Sequence, residues 1–551
     1  MGQGQGLPKP VKSVIVKRRS SNAFRIGMAE MNGFRNSMED AHVIYAKETW
    51  GFFGVFDGHG GDQCSKFIAR RYIEEMDKDT EVLRDDAAVR DLAFRLDREF
   101  LDSKTTSGST GTFVIVRAPK ASGGKYHLRV GNIGDSRVLL GHADGKIFDG
   151  PGTDKGLTTD HKPDHPSERE RIERTGGKVE SVMGVSRVNG DLAVSRAFGD
   201  SQHKITGGPD PSDHPVSAEP ELQEFECGST DFIMLVCDGI SEGKFPNDEV
   251  IKFAAERLRI PKDGSSSDID LAKVAAAVCH QAVKCGSKDN LSCMIVLLGP
   301  GEVPGKEDDF LAGPAHDSCL AKNAFRKAYE AMAEHAGLTF AEVLERRYDI
   351  VKSAISKLEA KPEDPLDELG GEDTDLEGLR EEMADWTKKE ASPLGPVPPK
   401  DESPEGKTKR RQWFEQYLES IATDREHGND DGHTIPADLV RLLSEQDGRL
   451  SSEPTRTIRV VGLDELKPAV TAHSALKWDD RLGNTCNKMG YVMKDDPADN
   501  TSQVRFPPPL GFKAWLPSST LIECAEAPES DNDAAENSDS RDSSTKDDDQ
   551  S

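Results

Sequence analysis

Four aspartates of this chain stand beside apolar runs, where buried strands should begin or end. Asp57 follows "GVF" in "GVFDGHGG", Asp135 follows a strand in "VGNIGDSRVLL", Asp238 closes "FIMLVCDG", and Asp289 precedes "LSCMIV". Ionised carboxylates at such places repel one another and lose hydration, and a cation that gathers them removes both penalties. The candidate donors are oxygens and no Cys/His set has zinc spacing, so the expected ion is hard, Mg²⁺ or Mn²⁺. Glycine behind an acid lets the backbone approach the ion, which makes the Gly58 carbonyl a further candidate ligand. Upstream, "GFRNSMEDAH" sets Arg35 four and five residues before the adjacent acids Glu39 and Asp40. Taken alone, "FDGHGG" is a common strand-to-helix turn; the company it keeps makes it informative.

Strands and helices must hold these residues. "WGFFGVF", "GTFVIV", "YHLRV", "SRVLLG", "FIMLVC" and "LSCMIVLLG" read as strands from their length, β-branched content and Gly/Asp punctuation. Helical patterns lie between and beside them, near 61–76, 85–102, 166–175, 247–260 and 268–285. In "DIDLAKVAAAVCHQAV" apolar side chains recur three and four apart and should bury one face. Grouped strands with helices on either side predict an α+β layered fold.

The chain has 551 residues and a formal net charge of −28, which predicts two or three units and argues against a nucleic-acid partner. Nine cysteines without a C-x-x-C pair fit reduced thiols, and the expected location is the cytoplasm, the nucleus or both. No apolar run approaches the roughly 20 residues of a transmembrane segment. Gly2 would allow peripheral membrane attachment if acylated, although Gly6 stands where the acylation pattern takes Ser or Thr. The expected organisation is a leader over 1–22, one folded unit over 23–299 and a helical extension over 300–360. Residues 361–454 read as mostly linker with short helices, 455–524 as a small β-barrel resembling the SH3-like kind, and 525–551 as a disordered acidic tail.

"RNSMED", "GVFDGHGG", "SGSTGTFVIV", "VGNIGDSRVLL", "TTDHKPDHPSERERIERTGG", "VNGDLAVSRAFGD", "CDGI" and "GSKDNLS" occur in that order. Together they resemble the metal-dependent protein serine/threonine phosphatases of type 2C, over about residues 23–299. The resemblance implies a central antiparallel β-sandwich flanked by helices on both sides, with two Mg²⁺ or Mn²⁺ ions in a cleft at one end. It implies that Asp57 bridges the ions, with Glu39 and the Gly58 carbonyl on one, Asp238 and Asp289 on the other, and Asp40 ordering water. Arg35 is implied as the phosphate clamp and His59 as the acid that protonates the leaving oxygen. A weaker third ion is implied at Asp135 and Asp238; there "DGISEG" supplies Glu242 where the family commonly has aspartate, one methylene shorter. The implied reaction is direct hydrolysis of phosphoserine and phosphothreonine in protein substrates by a water shared between the ions, without a cysteine nucleophile.

The same reading expects a monomer whose C-terminal half regulates the enzyme or recruits a protein partner. His42 and His161 are expected to be structural, and Arg196 with Asp200 to hold a flap to the core rather than act in catalysis. Two rivals share the fold: a silent scaffold and a hydrolase of small phosphate esters. A scaffold would be expected to lack a metal acid, and Glu39, Asp57, Asp238 and Asp289 all stand.

Overall fold

A computed structural model describes residues 6–121, 123–241, 243–260, 269–360, 376–390, 394–428, 456–460, 463–472, 489–496, 501–505 and 513–523. The chain divides into two compact units, Met1–Asn429 and Asp430–Ser551.

The first unit is built on two antiparallel sheets. One runs in the order β16 (Asp308–Leu311), β1 (Val11–Ser20), β2 (Phe24–Gly33), β15 (Leu291–Leu298), β14 (Phe232–Val236) and β9 (Arg137–Gly141). The other runs β13 (Glu221–Cys227), β8 (Tyr126–Ile133), β7 (Gly111–Arg117), β4 (Trp50–Phe56) and β3 (Ala41–Ala46). Side chains alternate across the second sheet with the two-residue period of a strand. Phe53 and Val55 of β4 and Val114 and Val116 of β7 join the core shared with the first sheet. Their neighbours Phe52, Phe56, Phe113 and Ile115 turn outward onto α1 (Gln63–Lys78) and α2 (Asp86–Leu101). On the outer side of the first sheet lie α5 (Asn247–Leu258) and α6 (Leu271–Lys284). The expected α+β arrangement of antiparallel sheets and flanking helices is therefore the one observed.

Small elements complete this layer. A three-stranded sheet joins β12 (Phe198–Gly199), β6 (Gly108–Ser109) and β5 (Gly58–His59). A flap carries α3 (Pro166–Arg174) and the hairpin β10 (Val179–Val182) with β11 (Val185–Val188). Glu168 of α3 fixes the flap through Arg196, at 2.8 Å, and through the Ser195 hydroxyl, at 2.6 Å. α4 (Asp238–Ser241) is a single turn.

Two stretches depart from the sequence reading. Residues 11–20, assigned there to a leader, form β1 inside the first sheet, with Val11, Val14 and Val16 fully buried. Much of the stretch assigned to linker is helix: α10 (Leu376–Glu390) and α11 (Pro404–Gly428) pack with α7 (Asp317–Leu320), α8 (Asn323–His335) and α9 (Phe340–Ala360). Aromatic side chains drive this, since Trp386, Phe414 and Tyr417 are fully buried among Tyr329, Tyr348 and Phe325. Among the described side chains of these helices, Glu382 is a buried acid, 1% exposed. That carboxylate meets Arg347 of α9 in a two-pronged ion pair, at 2.7 and 3.0 Å, with both side chains at most 1% exposed.

The second unit holds α12 (Leu463–Ala472) and a five-stranded antiparallel sheet, in the order β20 (Lys513–Pro517), β19 (Thr501–Arg505), β18 (Met489–Asp496), β17 (Arg456–Val460) and β21 (Leu521–Glu523). Residues 525–551 and Gly2 lie outside the described residues. No described helix is long and apolar enough to cross a membrane.

Glu382→Gln leaves the Arg347 charge buried without its counter-charge. It should cost about 3–5 kcal/mol of unfolding free energy, measured by urea denaturation of the full chain.

Candidate active site

Strand pairing brings the acids to one place. Val236 of β14 lies opposite Cys293 of β15, and Leu291 of β15 opposite Met31 of β2, so Asp238, Asp289 and the loop bearing Arg35 emerge at the same end of the first sheet. In the second sheet Val55 lies opposite Thr112 and Gly111 opposite Ile133, which delivers Asp57 and Asp135 together. The Asp57 backbone is pinned there: its N–H donates to Thr110 Oγ1 at 3.0 Å and its carbonyl accepts from Thr110 N–H at 2.9 Å. The glycines behind the acids permit the convergence. A Cβ on Gly58 would lie 2.1 Å from the Glu39 carbonyl oxygen, and one on Gly239 would lie 2.1 Å from the Asn290 carbonyl oxygen. No side chain fits at either position.

The carboxylates feel one another strongly. Burial, and then the nearby charges of Asp40, Asp238, Asp289 and Asp135, push the Asp57 carboxyl well above the ordinary range. Burial, Asp135 and Asp289 do the same to Asp238, which lies within hydrogen-bond reach of Asp57. Asp40 is pushed up to about 7, chiefly by burial, although the Ser292 hydroxyl donates to its Oδ2 at 2.6 Å and opposes the shift. Its Oδ1 and that of Asp238 are buried without a hydrogen-bond partner.

Neighbouring cations and donors engage the remaining acids. Arg35 Nη2 reaches Asp289 Oδ2 at 2.5 Å, and Lys162 pairs with Asp135. Glu39 accepts from the Ser37 hydroxyl at 2.9 Å and the Gly61 N–H at 3.0 Å. As the side chains stand, no three His, Cys, Asp or Glu groups among the described residues already form a closed metal cage. The orphaned oxygens of Asp40 and Asp238, the mutual repulsion around Asp57 and the all-oxygen donor set nevertheless fit a hard divalent cation. Glu242 lies outside the described residues.

His59 stands at the rim, with 30% of its side chain exposed. Its Nε2 meets Asp200 Oδ2 at 2.7 Å, and the Asp200 side chain is 2% exposed. Burial disfavours charge on the imidazole, but the attraction and hydrogen bond of Asp200 outweigh it, so His59 titrates above its ordinary value. The three-stranded sheet makes the contact: β6 pairs with β5, which carries His59, and with β12, which ends one residue before Asp200.

Sequence reasoning gave Asp200 no part at the site, because 141 residues separate it from His59 and nothing local marks the pairing. It also passed over Asn290. That side chain donates to the carbonyls of Asn32 and Ser37, both at 2.9 Å, and accepts from Glu39 N–H at 3.0 Å, bracing the loop that carries Arg35 and Glu39. The signal was its position directly after Asp289. His42 meets Glu30 at 2.7 Å, and His161 accepts from Gly134 N–H at 3.1 Å; both lie in buried hydrogen-bonded positions. Cys237, beside Asp40 and Asp57, has its thiol pushed far up by burial and by those acids, which leaves it unsuited to act as a thiolate nucleophile.

Oxygen ligands for divalent ions, an exposed guanidinium and an imidazole held toward its charged form together fit a metal-dependent phosphoester hydrolase. The sequence comparisons agree. Residues 24–291 match the family model described as protein phosphatase 2C. Protein phosphatase 1A of Bos taurus is 33% identical over 317 residues, covering 54% of this chain and 76% of that protein. Protein phosphatase 1B of Homo sapiens is 33% identical over 355 residues, 60% of this chain and 67% of that protein. A crystal structure of a phosphatase from a pathogenic strain of Toxoplasma gondii aligns with a TM-score of 0.45 at 29% identity, over 54% of this chain and 98% of that one. The chain belongs to the protein phosphatase 2C family, the metal-dependent protein serine/threonine phosphatases.

Asp200→Asn removes the charge that favours imidazolium and leaves burial, which opposes it. His59 should then titrate at lower pH than in the native chain, followed by NMR of its ring protons; an unchanged midpoint would contradict the pairing.

Proposed function

We propose that this chain hydrolyses phosphoserine and phosphothreonine esters of proteins at the acid cluster around Asp57. Glu39, Asp57 and the Gly58 carbonyl would hold one Mg²⁺ or Mn²⁺ ion, and Asp57, Asp238 and Asp289 a second. Bound there, a divalent pair supplies positive charge for the phosphoryl oxygens and lowers the pKa of water. The protein's own groups do the rest. Arg35, more than half exposed beside Asp289, forks onto the phosphoryl oxygens with the planar geometry that suits them. Asp40 keeps Oδ2 on Ser292 and turns Oδ1 to the attacking water, orienting it in line with phosphorus. His59 gives a proton to the departing serine or threonine oxygen. Because Nε2 faces Asp200, the proton leaves from Nδ1. The bond from water oxygen to phosphorus forms as the ester bond breaks, and no group of the chain is phosphorylated.

The convergence of Asp57, Asp40 and Asp238, with buried oxygens of Asp40 and Asp238 left unpartnered and all three carboxyls held above their ordinary range, carries this reading, since a cation would favour their ionised forms. A weaker third ion at Asp135 would have to displace the ammonium of Lys162.

The test is phosphate release from a phosphothreonine peptide by the intact chain in EDTA, Mg²⁺ or Mn²⁺. Asp57→Asn should lower metal-dependent turnover by at least about a thousandfold, an effect of the size seen when central catalytic groups are removed. Turnover that survives in EDTA, or in Asp57→Asn, would overturn the proposal.

We also read residues 456–523 as an SH3-like barrel that recruits a protein partner. Strands β17 to β20 run as a meander and β21 returns to pair with β17, an order that suits closure of a small barrel. Residues 455–525 expressed alone should give a dispersed amide spectrum; a collapsed spectrum would contradict an independent barrel.

A further inference from the structure

Residues 34–40, which carry Arg35, Glu39 and Asp40, have neither helix nor strand, so their position depends on what holds them from outside. Asn290 braces them from the catalytic side through hydrogen bonds with the Ser37 carbonyl and the Glu39 N–H, while a third ties it to the Asn32 carbonyl at the end of β2. The opposite hold comes from elements that no catalytic step uses. Leu7 N–H donates to the Phe34 carbonyl, the residue just before Arg35, at 2.7 Å. Leu7 is 4% exposed and Met38 8% exposed, and both belong to the apolar cluster that β1 and β16 form with α7, α8, α9, α10 and α11. The Arg35 loop is thus tied at Phe34 and at Met38 to a helical body whose contribution the phosphatase chemistry leaves unexplained.

We infer that the helical body of α7 to α11, acting through Leu7 and Met38, positions the Arg35 loop and thereby sets the affinity of the site for the phosphoryl group. Arg35 is more than half exposed and its guanidinium leans on Asp289, so its own side-chain packing does little to fix where the fork points. A shift of the Phe34 carbonyl moves the fork directly. Leu7 and Met38 are positioning residues: neither is among the groups proposed to hold phosphate or metal. The accessory helices are then part of substrate binding, and any partner or ligand that loosened them would weaken phosphate recognition without altering the acids.

The inference rests on Arg35 as the phosphate clamp, and the experiment separates the two. Full-length Leu7→Ala, Leu7→Ile and Arg35→Ala are compared with the native chain. KM and kcat for a phosphothreonine peptide, the inhibition constant of inorganic phosphate, and Mn²⁺ affinity by calorimetry are measured for each. Leu7→Ala should raise KM and the phosphate inhibition constant together by about three- to tenfold, with kcat within about twofold, the pattern of a lost ground-state contact. Mn²⁺ affinity should be unchanged, and Leu7→Ile should restore native values. Should Leu7→Ala fail to fold, the milder Leu7→Val is expected to shift both constants in the same direction. Native KM and phosphate inhibition in the Leu7 variants, beside a clear rise in Arg35→Ala, would overturn the inference and leave the clamp standing. A phosphate constant unmoved in Arg35→Ala would remove the clamp and the inference with it. A fall in kcat and in Mn²⁺ affinity accompanying the rise in KM would mark Leu7 as merely structural and also overturn it.

Discussion

Repulsion among carboxylates at one end of two sheets is the constraint on which the rest of this structure depends. Burial and mutual repulsion hold the carboxyls of Asp57, Asp40 and Asp238 above their ordinary range, so positive charge brought among them favours their ionised forms. A fold that spends burial on such a cluster must force the convergence against that repulsion. Here the force is the packing of β2, β4, β14 and β15, which bury nearly every side chain, between the sheets on one face and beneath flanking helices on the other. On the proposed reading, the same rigidity that destabilises the acids would make them a preorganised ligand set.

The other features of the site manage charge around that cluster. Arg35 and Lys162 each take up one acid, while Ser292 and Ser37 satisfy oxygens of Asp40 and Glu39. Asp200 does the converse for His59, favouring the cation at the rim while the acids sit deeper. A nucleophile activated at the centre and a proton donor at the edge are both needed to cleave an ester in line. In the proposed mechanism the first lies at the sheet ends and the second on a two-residue strand.

What could be read without coordinates follows from what is local. Each central acid sits next to an apolar run and most have a glycine or paired acid beside them, so their nature and their end of the sheet were legible from short segments. The partnership of Asp200 with His59 and the brace from Asn290 were not, because each joins residues more than a hundred positions apart through short or irregular backbone. Strand β1 was missed for another reason: "VKSVIVKRRS" is basic at its end and near the N-terminus, and the burial of Arg18 on Asp270 is a tertiary event. In α10 and α11, composition misled. Charged outer faces dominate the count, while a few aromatics decide the packing.

The central claim concerns protons as much as metals. If Asp57, Asp40 and Asp238 share protons at neutral pH, a divalent ion that binds them must expel protons. The most direct measurement is calorimetric titration of the intact chain with Mn²⁺ at pH 7 in two buffers of different ionisation enthalpy. The account predicts binding of about two ions per chain, as a binuclear site requires, with net proton release that appears as a buffer-dependent heat. Binding without proton release, or no binding, would contradict it.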